Sequence, residues 1–448
     1  MSLRDIFITV VVLGILPFAL RHPSTGILLW TWISIMNPHK LAWGFAYNMP
    51  FAAMAAGVTF VAMFATKDKV QLGRDPIITA IVAFVAWMGL TTLLAFDRSG
   101  SWVQLVKVFK IQLMTLVAIA VLNEKHHLKA FVWVNALSLA FYGTKGGLFT
   151  LTTGGGERVW GPPGGFIEGN NELALALVMA IPLLYYLRLT STQQWLRMAL
   201  LGMMLLTGVS VLGTHSRGAL LAIVAMVAFL WWKSPRKVIT LVPISVLGLA
   251  MLAFMPENWV ERMNTIQTYE QDGSAMGRIN AWWTMFNLAN DRFFGGGFDV
   301  YTPQIFNMYA PDPSVARAAH SIYFQVLGEH GWVGLLLFLS IWIIGWRKAS
   351  KIRALAKNDG ANRDLYLLAG MCQVSFIGYA VGGAFLSLAY FDLPYNILVM
   401  LIISHRLLLQ GQQQPSVAAG PLGLPPRTGC RMPVASAARA ARQLQTRV

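Results

Sequence analysis

Apolar stretches separated by short polar segments recur along the chain between residues 6 and 409. Because a helix needs about 20 apolar residues to cross a bilayer, most of the chain can be placed in transmembrane helices. The apolar pattern predicts helices at residues 48–65, 77–96, 102–122, 128–151, 173–187, 195–212, 219–232, 238–255, 332–346, 365–388 and 396–409. The pattern therefore predicts an all-α polytopic membrane protein.

The first apolar stretch, residues 6–36, is interrupted by Arg21, His22 and Pro23. This interruption is compatible with two short crossings, or with one span that has a broken, partly interfacial half. Counted as one crossing, the stretch brings the prediction to about 12 transmembrane helices.

The charges follow the same alternation. Lys and Arg outnumber Asp and Glu by 35 to 19. However, only 12% of the residues are charged and 56% are hydrophobic. This composition excludes a water-soluble enzyme or a soluble nucleic-acid-binding protein. The positive-inside rule explains the excess, because basic residues cluster in alternate connections, which we assign to the cytoplasm together with both termini. They are Lys67, Lys69, Arg74, Lys125, Lys129, Arg188, Arg197, Lys233, Arg236, Lys237 and six residues between 347 and 363. Two termini on one side require an even number of crossings.

This topology divides the chain into four parts. Residues 1–255 form an N-terminal transmembrane bundle, residues 256–331 one large loop on the opposite face, and residues 332–410 the C-terminal transmembrane helices. The large loop is expected to bury a small helical core with its aromatic residues, Trp259, Trp282, Trp283, Phe286, Phe293 and Phe294. Residues 411–448, rich in Gln, Pro, Gly, Ala and Arg, are predicted to be a disordered cytoplasmic tail.

A first candidate motif is GTHSRGA, residues 213–219, at the outer junction of two predicted helices. An Arg at the membrane edge commonly has an anionic partner, and the small neighbours Ser216 and Gly218 leave room for a ligand beside Arg217. His215 is a second candidate ligand contact. An Arg that snorkels from a tight hairpin explains the motif equally well.

The second motif, GSAMGRINAWW at residues 273–283, places Arg278 near the start of a predicted helix. A helix N-terminus beside an Arg suits a phosphate group. A solvated surface Arg is the alternative.

The third motif, AHSIYFQVLGEHG at residues 319–331, precedes the next span. We expect His320 and Tyr323 to lie one turn apart on a helix, with His320 as a candidate general base toward a sugar hydroxyl. Glu329 would orient His320 or cap a helix. A structural, hydrogen-bonding His is the alternative.

Further cations on the outer side could extend an anion site: Lys107 and Lys110 on one helix face, Lys145 on the next helix, and Arg158 in a Gly-rich loop. Snorkelling toward the interface is the competing explanation for each. Tyr47, Trp160 and Tyr323 could stack on sugars or belong to the interfacial aromatic belt.

No metal or cofactor is predicted. The first outer loop, residues 37–50, contains neither Asp nor Glu, and the outer acids form no cluster with ligand spacing. The cysteines, Cys372 in an apolar stretch and Cys430 in the tail, form no ligand pattern.

Together, the three motifs and the helix pattern resemble the O-antigen ligase family, with its related O-antigen polymerases and protein O-oligosaccharyltransferases. The resemblance covers most of the chain. Residues 155–163, GGERVWGPP, are similar to the branch of O-glycosylation ligases found with exosortase systems.

The resemblance implies a multi-pass protein of the bacterial inner membrane that transfers a glycan from undecaprenyl pyrophosphate to an acceptor hydroxyl in the periplasm. It implies that Arg217 and Arg278 hold the pyrophosphate and that His320 lies near the acceptor. An O-antigen ligase would transfer the glycan to the lipid A-core, which gives lipopolysaccharide.

Other functions are compatible with the same residues. A polymerase or a protein O-glycosylation ligase shares the donor and differs in acceptor. A lipid-linked glycan transporter would carry charges along the depth of the bilayer, whereas here the cations concentrate in the outer half. An inactive membrane scaffold would not depend on His320.

Overall fold

The structure is a computed structural model that describes residues 2–66, 70–233, 246, 248–250, 253–264 and 273–413. The regular structure of these residues is helical and includes no strand. The helices are α1 (Leu3–Arg21), α2 (Pro23–Met36), α3 (Phe51–Ala65), α4 (Pro76–Leu93), α5 (Arg98–Val121), α6 (Lys125–Thr152), α7 (Asn170–Thr190), α8 (Gln194–Gly213), α9 (Arg217–Lys233), α10 (Glu257–Asn264), α11 (Gly273–Asp291), α12 (Pro303–Tyr309), α13 (Ile322–Ala356), α14 (Arg363–Gly383) and α15 (Asp392–Gln413).

Eight of the described helices are long and apolar enough to cross a membrane, namely α1, α4, α5, α7, α8, α13, α14 and α15. Helix α3 is shorter and equally apolar. The prediction of an all-α, multi-pass membrane protein is confirmed at this level. The predicted helix at 238–255 and most of the predicted tail at 411–448 lie outside the described residues.

The N-terminal stretch forms a helical hairpin. His22 is extended between α1 and α2, and Pro23 begins α2. The Asp5 carboxylate, at the start of α1, accepts hydrogen bonds from the backbone amides of Gly44 and Ala46, which follow α2. The start of α1 and the end of α2 therefore lie together, so the interpretation of residues 6–36 as a single crossing is wrong.

Contacts bring several of the basic connections together on one face. Arg406, near the end of α15, donates to the carbonyls of Leu72 and Ile119, and Lys125 pairs with Asp364 at 3.0 Å. In the described residues α15 ends on this face while α1 starts on the other, an arrangement that favours an odd number of crossings over the predicted even number. We call the opposite face, which carries residues 37–50, 153–169 and 384–391, the site face.

Small residues let the helices approach closely in the bundle. A Cβ atom at Gly147 of α6 would overlap the carbonyl oxygen of Leu206 in α8. The buried amides of Asn135 and Asn396 hydrogen-bond at 2.9 Å between α6 and α15. Both contacts are typical of helix packing in lipid, where small and polar residues replace the hydrophobic effect as the source of association.

On the site face, α11 and α12 enclose a small core with the residues that precede α13. Its buried members are Ala281, Met285, Leu288, Val300, Ile305, Phe306 and Ala319. Trp259 is buried in a separate cluster with Leu212, whereas Trp283 and Phe293 are 53% and 63% exposed. The loop thus has a helical core, as the sequence predicts. Its buried members are mostly non-aromatic, whereas the sequence predicts a core of aromatic residues.

Candidate functional site

Arg217 is the first residue of α9, directly after a buried turn that fixes its position. The His215 ring nitrogen Nε2 lies 2.9 Å from the carbonyl oxygen of Gly155, and Asn170 Nδ2 donates to the carbonyl of Thr214 at 2.7 Å. His215, at φ 57°, is 6% exposed. The structure thus buries His215 in the turn directly before Arg217.

Arg278 lies in the second turn of α11, one turn before Trp282. Trp282 Nε1 donates to the carbonyl oxygen of Ala319 at 2.7 Å, and its ring stacks on Phe324 with centroids 5.2 Å apart. Two contacts therefore fix α11 against the segment that contains His320. Arg278 and His320 are close enough for their charges to interact.

The sequence predicts that His320 and Tyr323 lie on one helix. In the structure, His320 lies outside it. Its backbone is left-handed, at φ 44°, Ser321 is the N-cap, and α13 begins at Ile322. A residue in this conformation cannot continue a right-handed helix, which explains the difference. Burial, followed by the charges of Arg278 and Arg317, lowers the pKa of His320 below its ordinary 6.5, so the imidazole is neutral at pH 7.

Two charged residues beside this pair were missed from sequence. Arg317 donates to the carbonyl of Gly273 at 3.3 Å and packs over Gly277, on which a Cβ would lie 3.1 Å from Arg317 Cδ. Glu172, in the first turn of α7, interacts electrostatically with Arg278. Arg317 lies only three residues before His320 in the sequence, and this spacing could have predicted that the two side chains are neighbours. Nothing in the sequence places Glu172 beside Arg278.

Phe385 links the first motif to the other two. A Cβ at Gly218, beside Arg217, would lie 3.0 Å from Phe385 Cβ. The Phe385 ring lies 6.4 Å from the Trp282 ring. The turn that carries Arg217 is therefore separated from the Arg278 and His320 pair by one aromatic layer, on the same face of the bundle.

The remaining cations lie elsewhere on this face. Lys107 and Lys110 line a cavity of about 600 Å³ with Phe166 and Asp392. Lys145 and Arg158 are exposed, and neither forms an ion pair with any residue that the structure describes. Tyr323 donates to the carbonyl of Ala380 at 2.8 Å and lines an apolar groove between α13 and α14.

Glu329 neither orients His320 nor caps a helix through any contact of the described chain. It is 1% exposed, accepts from the Tyr390 hydroxyl at 2.5 Å and from the backbone amide of Asp299 at 3.4 Å. The Nδ1 atom of its neighbour His330 lies 2.7 Å from the Thr91 hydroxyl. In the described part of the chain, no group of three or more His, Cys, Asp or Glu side chains could hold a metal ion.

Comparison with known proteins identifies the segment that carries these motifs. A family model described as O-antigen ligase matches residues 202–339, which contain Arg217, Arg278 and His320. A second model, for a family of unknown function (DUF5935), matches residues 3–192. No curated protein matches the chain. Residues 202–339 thus relate the chain to the O-antigen ligase family, and this relationship supports a glycosyl-transfer function of the ligase or polymerase type.

Proposed function

We propose that this protein is a metal-independent O-antigen ligase, which transfers a polysaccharide from undecaprenyl pyrophosphate to the lipid A-core. It works in the bacterial inner membrane, with the site face toward the periplasm. The observation that carries the proposal is the convergence of two arginines and a neutral histidine on one face, inside the segment matched by the ligase model.

The two arginines suit the donor. When the anomeric carbon–oxygen bond breaks, negative charge develops on the leaving pyrophosphate. Arg217 and Arg278 each offer a planar fork of donors that matches phosphate oxygens. Both are only partly exposed, so their attraction for the leaving group is screened less than it would be in open solvent.

His320 suits the acceptor. A general base must be unprotonated at the working pH, and the lowered pKa of His320 keeps its imidazole neutral. His320 takes the proton of the acceptor hydroxyl as that oxygen attacks the anomeric carbon, and the pyrophosphate departs. A single displacement of this kind inverts the anomeric configuration. Glu329 and His215 are weaker candidates for the base because both are buried and already hydrogen-bonded.

The direct test is transfer by the purified protein in EDTA, with undecaprenyl-pyrophosphate oligosaccharide as donor and lipid A-core as acceptor. His320→Asn is a better variant than His320→Ala, because Asn tolerates the left-handed backbone at φ 44° while the base is removed. His126→Asn, on the opposite face, is the matched control. We expect product from wild type and the control and at least a hundredfold less from His320→Asn, a typical contribution of a general base.

Two results would contradict the proposal. Wild-type activity in His320→Asn would remove His320 as the base. Donor binding without transfer to lipid A-core would point to another acceptor, a growing glycan or a protein hydroxyl, which the same donor chemistry also serves.

A further inference from the structure

The cavity beside Lys107 and Lys110 is separate from the arginine and histidine site. It opens on the site face, has a volume of about 600 Å³, and is lined by α2, α5, the start of α15 and the loop at residues 164–166. This volume falls in the range that ligand-binding pockets of proteins occupy, and it exceeds what one phosphate group needs. Phe166 and Phe391, with ring centroids 6.4 Å apart, lie between this loop and the 384–391 turn.

The cavity contains more positive than negative charge. Lys107 Nζ lies 4.2 Å from the centre of the Phe166 ring and interacts with the Asp392 carboxylate, which also accepts from the Ser34 hydroxyl at 2.7 Å. Lys110 forms no ion pair with any described residue. The cavity lining therefore contains two lysines and one carboxylate, and an anionic ligand would balance the charge of the second lysine.

The position of these exposed lysines along a membrane-spanning helix makes that imbalance costly. Lys110 is near the middle of the 24-residue helix α5, which is apolar enough to span the membrane. An ionised side chain in such a segment generally faces a polar cavity and has a partner. Lys107 and Lys110 are both exposed at this open cavity, and an anionic occupant would supply the partner that Lys110 does not have among the described residues.

The occupant enters from the lipid. Trp102 and Val103, which also line the cavity, are 55% and 67% exposed on the outer surface of α5. Exposed apolar residues beside exposed cations suit an amphiphile with an anionic head group. A soluble anion would not need the apolar mouth.

We propose that this cavity binds a phosphate group of the lipid acceptor, with Lys107 and Lys110 as its ligands. This inference rests on the proposed function and extends it, because it assigns the donor pyrophosphate and the acceptor phosphate to two different places. The 384–391 turn separates the places: Phe385 faces Trp282 at one end, and Phe391 faces Phe166 at the other. A transfer between two membrane lipids requires two such head-group sites.

Binding measured without transfer tests the inference independently of the proposed function. The full-length protein in lipid nanodiscs is titrated with lipid A-core, with the same acceptor after phosphatase treatment, and with undecaprenyl pyrophosphate. The variants are Lys107→Gln and Lys110→Gln, and the matched control is Lys129→Gln, an exposed lysine of the opposite face.

We expect each cavity variant to bind phosphorylated acceptor about tenfold more weakly, the loss typical of one charge-assisted hydrogen bond. Binding of the dephosphorylated acceptor and of undecaprenyl pyrophosphate should remain at the control value. Weaker binding of undecaprenyl pyrophosphate would assign the cavity to the donor and overturn the inference. Equal loss for both acceptor forms, or no loss, would also overturn it. No transfer by the wild-type protein, together with acceptor binding that depends on Lys107 and Lys110 as expected, would contradict the proposed function alone.

Discussion

Trp282 donates a hydrogen bond of 2.7 Å to the carbonyl oxygen of Ala319, the residue directly before His320. Because Arg278 lies one turn before Trp282 on α11, this bond fixes the distance between a cation and the candidate base. The closeness of Arg278 and His320 thus depends on the indole N–H of Trp282 and on the stacking of Trp282 against Phe324.

Trp282→Phe tests this role, because Phe retains an aromatic ring and loses the donor. We expect transfer to slow about tenfold while thermal stability falls by about 1 kcal/mol, the net value of one hydrogen bond. Trp283→Phe, at the exposed next position, controls for the loss of an indole. Equal rates for the two variants would show that the bond to Ala319 does not position His320.

The pH dependence of transfer follows from the neutral state required of His320. Burial and the charges of Arg278 and Arg317 lower its pKa, so the fall in activity on acidification should lie below pH 6.5. Arg317→Gln removes one positive charge, which raises the pKa of His320 and moves the fall to higher pH. Arg98→Gln, an exposed cation elsewhere on the site face, should leave the profile unchanged. An unmoved profile in Arg317→Gln would mean that His320 is not the titrating base.

Much of the bundle was predictable from sequence, because lipid requires long apolar helices. Arg217 was singled out because a charged residue at the membrane edge is costly unless it has a partner there. Arg278 was singled out because it lies near the start of a helix, and the roles of both stay predictions. The left-handed backbone of His320 was not predictable, because its neighbours in sequence have the pattern of a continuous helix. Glu172 could not be found, since it meets Arg278 through a contact between residues far apart in sequence.

The N-terminal hairpin was missed for a similar physical reason. The break at Arg21, His22 and Pro23 allows either topology, and the deciding contacts are made by Asp5 with Gly44 and Ala46. The acceptor is a side chain but both donors are backbone amides, which any sequence provides. Residue type alone therefore carried no information about this pairing.

The close contact between α6 and α8 gives a prediction about stability. In Gly147→Ala the new methyl group would overlap the backbone carbonyl oxygen of Leu206, so a helix must shift. Such overpacking costs about 1 to 3 kcal/mol. Gly202→Ala, where no atom lies within 4 Å, should be neutral or slightly stabilising because Ala favours helix. Thermal unfolding of the two variants in detergent measures the difference, and equal melting temperatures would contradict the close approach.

The hairpin predicts that the start of α1 lies on the site face, against the positive-inside expectation for Arg4. Single cysteines at Leu3, which is 86% exposed, and at Trp160, which is 60% exposed, should react alike with a maleimide that cannot cross the inner membrane. The native cysteines are first replaced by Cys372→Ala and Cys430→Ser. Lys129→Cys, on the opposite face, should react only after the membrane is permeabilised. If Leu3→Cys instead behaved like Lys129→Cys, α1 and α2 would form one crossing, and the bonds from Gly44 and Ala46 to Asp5 could not exist in the membrane.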